Sequence, residues 1–397
     1  MKKLLCCSFG MPTLLLLGIS LHAQESKSAA PPTPSVDPTV PAAESSRTLS
    51  IGEYRSLVSA IYGEKIEYFL KLPEHYETSL RRYPVLFVMN GDVPSVAANA
   101  YSTMETLGSE MVPEMILIGI AVPKRASIFP GDPNGQGRGA DTLVRFVTEE
   151  LVPHVDARYR TQKYRILFGQ SNAGLFAVYA FLTRPEAFDA CIAASPTFGW
   201  QLDFMKETAR TSFAQNRDLR KRLYLDYGGR DYGQLVRDAI PVFADLLRRE
   251  APAGLLWKSE ALALDGHVPV ASLNNGLLFV FPDFLASDEL KAAGLKAVDA
   301  HFAALSQRYG IQLQAPEETV FDLSHKLFRE KKYGEAIVGF EAVLERYPDS
   351  LRARLFLGDA YRDSGDIAKA KEAYRQCLKS DPAYGQAKQR LDQLLQR

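Results

Sequence analysis

Cysteine is scarce in this chain of 397 residues: there are four, and Cys6 and Cys7 stand among the first ten. With Cys191 and Cys377 falling in what read as separate domains, no disulfide framework or cysteine metal site follows, and nothing else in the sequence calls for a metal or cofactor. An excess of charge is missing too, since Lys plus Arg and Asp plus Glu both number 47. No net field draws the chain to nucleic acid, an anionic membrane or a charged polymer, so any charged partner must be met by a local site. What is present, 46% hydrophobic and 24% charged residues, is the composition of a globular protein.

The chain begins MKKLLCCSFGMPTLLLLGISLHAQ, with Lys2 and Lys3 ahead of an apolar stretch that ends near Ala23. This is the order of an export signal, and we expect residues 1–23 to be removed and the mature protein to be periplasmic or secreted. Pro12 and the short run TLLLLGISL count against an uncleaved spanning anchor, so no membrane span is expected after signal removal. Residues 24–47 are rich in Pro, Ser and Ala and nearly free of large apolar side chains, so they read as a disordered tether.

From 48 to 290 short β-rich runs alternate with longer helical stretches: EYFLKL, VLFVM, MILIGIAV, YRILF, ACIAA, RLYLDY and LWKSEALAL. Runs this continuously apolar suit strands buried on both faces, and predict a three-layer α/β sandwich with a mostly parallel sheet. A helical connector over 291–316 follows. Beyond it Ala336, Phe340 and Pro348 recur 34 residues later as Ala370, Tyr374 and Pro382, the tetratricopeptide period with its small, aromatic and proline positions. The second unit adds Leu357, Gly358 and Tyr361, whereas the first has Ser324 and Leu327 at the latter two places. Residues 317–397 therefore read as two repeats and a capping helix, a small all-α domain offering a surface to a protein or peptide partner.

The segment ILFGQSNAGLF (166–176) ends an apolar run on a serine between small residues and then opens a helical pattern. A serine hydroxyl needs a base within reach and a tight turn that lifts its oxygen out of the sheet. Gly169 two before Ser171 and Ala173 two after meet the steric demand of such an elbow, with alanine in place of the usual second glycine. Of six histidines, His22 lies in the signal, His301 in the connector and His325 in the repeats, while His75 and His154 precede Ser171 and read as solvated. His267, in the loop DGHVP after the last strand, is where a hydrolase sheet delivers its base. The order Ser, acid, His points to Asp231 in GGRDYGQ, with Asp226, Asp238 and Glu260 as competitors. Two backbone N–H groups are needed for an oxyanion, one from Asn172 and one from Gly91 or Asp92 after VLFVM.

The blocks KLPEHYETSLRRYPVLFVMNGD, RFVTEELVPHVDARYRT, FGQSNAGLFAVYAFLTRPEAFDACIAASPTFGW and DGHVPVASLNNGLLFVFPDF, in this order over roughly 50–285, resemble the esterase family of α/β-hydrolases that includes siderophore esterases of the enterobactin type. The resemblance implies an α/β-hydrolase fold, a carboxylic ester as small-molecule substrate, Ser171 at the elbow, His267 as base and the Asp92 amide in the oxyanion hole. It also implies that a Ser–His pair can suffice. Gln170 and Asn172 depart from the histidine and the leucine or tyrosine common in that family, and KRASIFPG replaces its arginine-aspartate-threonine-proline stretch. The loop GDPNGQGRGAD reads as a border of the pocket rather than a phosphate loop, because no lysine with serine or threonine follows its last glycine. Two other readings stay open from sequence: a catalytically weak scaffold acting through its repeats, and an acyltransferase on the same fold.

Overall fold

The computed structural model describes residues 50–123, 126–131 and 140–396. The expected signal and tether, and most of the loop 131–141, lie outside the described residues.

Eight strands form one sheet: β1 (Glu53–Ser59), β2 (Glu64–Lys71), β3 (Tyr83–Met89), β4 (Ile116–Ile120), β5 (Thr161–Gln170), β6 (Ala190–Ala194), β7 (Arg222–Gly228) and β8 (Leu256–Leu262). Their spatial order is β1-β2-β4-β3-β5-β6-β7-β8; β1 with β2 and β2 with β4 run antiparallel, and every later pair is parallel. Strand β1 is absent from the sequence reading. It is an edge strand with mostly exposed side chains in EYRSLVS, so it lacks the apolar run that marks the others.

Alternation along β3 shows why the inner strands must be apolar throughout. Val85, Phe87 and Met89 point into one core, Leu86 and Val88 into the other, and all five are buried. The first core is covered by the helices Asn172–Thr183, Leu202–Gln215 and Ala239–Glu250. The second is covered by Pro94–Met111, Ser272–Val280 and Leu295–Tyr309, and continues without a break into Val320, Phe321, Phe340, Val343 and Tyr347 of the first repeat. The second repeat and the closing helix Gly385–Leu395 keep a small cluster of their own around Tyr374, Cys377 and Leu394. Cys191 and Cys377 are both buried as free thiols.

The first repeat is also tied to the body by polar groups. His75 Nδ1 lies 2.9 Å from Asp349 Oδ2, and Thr78 Oγ1 donates to the same oxygen at 2.7 Å. The sequence reading of His75 and His154 as solvated is corrected here. His75 is half-buried in this junction, and His154 packs edge-on against Tyr68, with Nε2 3.2 Å from its hydroxyl. Each ring finds a polar partner on a segment remote in sequence, which no local pattern announces.

Candidate active site

Five adjacent parallel strands, β3, β5, β6, β7 and β8, deliver the candidate residues from their carboxyl ends. Ser171 follows β5 with φ 57° and ψ −123°, a strained conformation for a residue other than glycine, and the helix Asn172–Thr183 starts at once. Its own N–H donates to Ala194 O at 2.8 Å and its carbonyl accepts from Leu175 N–H at 3.0 Å, so the turn is held from β6 and from the helix.

The steric demands at the two flanking positions differ. A Cβ on Gly169 would lie 2.1 Å from the carbonyl oxygen of Ala173, so only glycine fits there. Ala173 directs its methyl into the first core, where it is 1% exposed, and a second glycine at that place is not required.

His267 and Asp231 are brought to Ser171 from the two strands beyond. With the proton on Nδ1, the imidazole donates to Asp231 Oδ1 at 2.7 Å and accepts from Ser171 Oγ–H at Nε2, at 2.8 Å. The loops carrying acid and base press together: a Cβ on Gly228 would meet Gly266 O at 1.9 Å, and Arg230 N–H donates to Asp265 O at 2.9 Å. Tyr232 lays its ring against the imidazole, with centroids 4.6 Å apart, while leaving 58% of its surface exposed.

The Asp231 carboxylate is buried and fully engaged. Besides the imidazole it accepts from Tyr232 N–H at 2.7 Å and from Ser195 Oγ–H at 2.5 Å. Ser195, missed in the sequence, directly follows β6 with φ 47° and its hydroxyl also accepts from Val268 N–H at 2.9 Å. Val268 itself has φ 57°, which is strained for a β-branched residue. One buried hydroxyl thus joins the acid to the loop that carries the base. In the sequence it is only a serine between a strand of small residues and Pro196.

The competing carboxylates stand elsewhere. Asp226 is fully buried beneath the site, accepting from Ser272 Oγ–H at 2.8 Å; burial pushes its carboxyl up to about 7 against the lowering hydrogen bonds of Ser272 and Tyr224. Glu260 pairs with Lys258 and the Tyr224 hydroxyl, and Asp238 precedes the helix Ala239–Glu250. For the oxyanion positions, Asn172 opens its helix and its side chain is fixed by Thr197 Oγ–H at 2.7 Å, while Asp92 is exposed in the turn after β3. Neither of their backbone N–H groups has a hydrogen-bond partner among the described residues. No group of three or more His, Cys, Asp or Glu side chains among the described residues is placed to hold a metal, and no described helix is long and apolar enough to cross a membrane.

Residues 59–243 match the family model described as "Putative esterase". Over these residues the central domain is similar to this esterase family. A tetratricopeptide model matches 327–391. The central domain is similar to the ferri-bacillibactin esterase of Bacillus subtilis, 32% identical over 121 residues, covering 29% of this chain and 40% of that protein. It is also similar to the siderophore triacetylfusarinine C esterase of Aspergillus fumigatus, 27% identical over 146 residues, covering 32% and 50%. The chain therefore spans half or less of the length of these curated relatives. In fold it is similar to an IroE-like serine hydrolase of Shewanella oneidensis, with TM-score 0.62 and 23% identity, covering 74% of this chain and 99% of that one.

Proposed function

We propose that this protein is an exported serine esterase that hydrolyses a carboxylic ester through an acyl-enzyme on Ser171. The observation that carries the proposal is the continuous hydrogen-bonded line from Ser171 Oγ through His267 to the buried Asp231, set on a strained strand-to-helix turn. As Ser171 Oγ attacks the ester carbonyl, its proton passes to His267 Nε2, and Asp231 stabilises the imidazolium. Negative charge gathers on the former carbonyl oxygen, opposite the N–H groups of Asn172 and Asp92. Collapse expels the alcohol with the proton from His267. Water, deprotonated by the same imidazole, then attacks the acyl-enzyme and releases the acid.

Two features bear on the substrate. The relatives named above are siderophore esterases, and the exposed ring of Tyr232 beside the imidazole favours an ester with a flat apolar group at the mouth of the site. The repeats serve as a docking module for a protein or peptide. The test of the enzyme assignment is labelling with a fluorophosphonate followed by peptide mapping. Modification is expected on Ser171 and to be blocked by Ser171→Ala, and a labelled protein with an unmodified Ser171 would overturn the reading.

A further inference from the structure

The two oxygens of the Asp231 carboxylate are served unequally. Oδ1 accepts from the His267 imidazole and from Tyr232 N–H, each at 2.7 Å. Oδ2 has one partner among the described residues, the Ser195 hydroxyl at 2.5 Å. The Asp231 side chain is 0% exposed, so bulk water does not replace that partner, and a buried carboxylate oxygen left bare is costly.

The Ser195 hydroxyl is fixed for this task. Its oxygen carries a single hydrogen, and because it accepts from Val268 N–H at 2.9 Å, that hydrogen is left for Asp231. The serine backbone is held as well, its N–H donating to Asp226 O on β7 at 2.8 Å. A residue before proline ordinarily takes extended backbone with negative φ, yet Ser195, before Pro196, has φ 47°. Val268, next to the base, has φ 57°. Two strained residues thus meet at one hydroxyl, and strain of this kind persists where the surrounding structure enforces it.

We infer that Ser195 is a positioning residue for ester hydrolysis that acts through Asp231. Its hydroxyl pins Oδ2, so that Oδ1 stays turned to Nδ1–H while the imidazole takes the proton of Ser171. This rests on the reading of Ser171 as nucleophile and His267 as base. The torsion that turns an aspartate carboxylate is soft, so a carboxylate held by one oxygen alone swings, and the imidazole loses its fixed direction towards Ser171 Oγ. Ser195 is fully buried and touches no substrate, so its loss acts on kcat rather than on KM.

The test is steady-state kinetics on a short acyl ester with full-length Ser195→Gly and Ser195→Ala, each in the wild-type and the Asp231→Ala backgrounds. Glycine relieves the positive φ and alanine keeps it, so Ser195→Gly carries the test if Ser195→Ala lowers the melting temperature. Each single variant is expected to lose about ten- to a hundredfold in kcat with KM within about twofold of wild type, the rate equivalent of one hydrogen bond to a charged group. Beside Asp231→Ala, where no carboxylate remains to be held, the same changes should cost less than about twofold. Unchanged kcat in both variants, a loss carried by KM, or the full loss repeated on top of Asp231→Ala would overturn the inference and leave Ser195 a link between β6 and the loop of the base. Fluorophosphonate labelling of the same proteins separates this from the reading beneath it. Ser171 labelled in wild type and about tenfold more slowly in both variants supports the positioning role. Equal labelling rates overturn that role alone, whereas an unlabelled Ser171 in wild type overturns the nucleophile and the positioning role together.

Discussion

The two edges of the sheet are built on opposite principles. At the carboxyl edge a few polar side chains stand in a fixed line, with strained backbone at Ser171, Ser195 and Val268. At the amino edge and over the adjoining face the first repeat is joined to the central domain by one continuous apolar core, with ion pairs around it. Changes to the polar side chains at the first edge should therefore alter chemistry while sparing the fold. Changes at the second should do the reverse.

The two repeats make the same contrast on a smaller scale. In the second, Gly358 admits the Tyr374 ring, since a Cβ there would lie 2.5 Å from it. The first has Ser324 at the equivalent place, and the facing residue is Gly339, where a Cβ would meet Ser324 Oγ at 2.2 Å. Thirty-four residues on, the counterpart of Gly339 is Ala373. The bulk has moved from one helix to the other, so the weaker motif match hides an equally close helix pair.

The largest expected effects lie at the carboxyl edge. Ser171→Ala and His267→Ala should each lower kcat on a short acyl ester by about three orders of magnitude or more, with the double variant hardly worse, while the melting temperature stays near wild type. Asp231→Asn should cost about two to four orders and Asp226→Asn only a few-fold, measured in the same assay. Equal losses for the two aspartates would move the acid role away from Asp231.

At the other edge Phe340→Ala should cost about 3–5 kcal/mol in denaturant unfolding, because its ring is fully buried in the core shared by repeat and body. Turnover per folded molecule should be unchanged. Removal of residues 317–397 should lower the melting temperature further, since it uncovers that face of the central domain.

A smaller effect separates the two flanks of the elbow. Gly169→Ala should reduce stability by about 1–3 kcal/mol and activity with it, because the new methyl meets backbone. Ala173→Gly should cost at most about 1 kcal/mol, the helix penalty of glycine, and leave turnover near wild type. Comparable losses at both positions would remove the distinction drawn from the geometry.

The smallest effect is a pH dependence with the same sign at both edges. Burial by itself would lower the His75 imidazole, but the Asp349 hydrogen bond and the charges of Glu114, Asp349 and Glu317 outweigh it and raise it above its ordinary 6.5. Its contribution is then complete below about 6.5 and lost as pH rises through the folded value. Asp226, raised to about 7, also favours the folded state at acid pH and loses that contribution as pH rises through about 7. A global melt mixes the two, so the readout must be local: proteolysis between 310 and 350 should quicken from pH 6 to pH 8 in wild type and change little in His75→Gln.

Much of the molecule was legible because its signals are local or periodic. Continuous apolar runs marked the inner strands, the 34-residue recurrence marked the repeats, and the small residues around Ser171 marked the elbow. Chain order singled out His267 and pointed to Asp231 among several carboxylates. Tertiary structure decided the rest, because the deciding contacts join residues distant in sequence. Only the meeting of β6, β7 and the loop after β8 makes Ser195 a partner of Asp231 and leaves Asp226 buried beneath the site. Only the packing of the first repeat turns His75 from a loop histidine into a clasp on Asp349, 274 residues further along. A sequence fixes which side chains are apolar, small or ionisable, and with what period. Which of the ionisable ones are desolvated, and opposite what, is settled by packing between segments far apart in the chain, and those two quantities set the chemistry of a site.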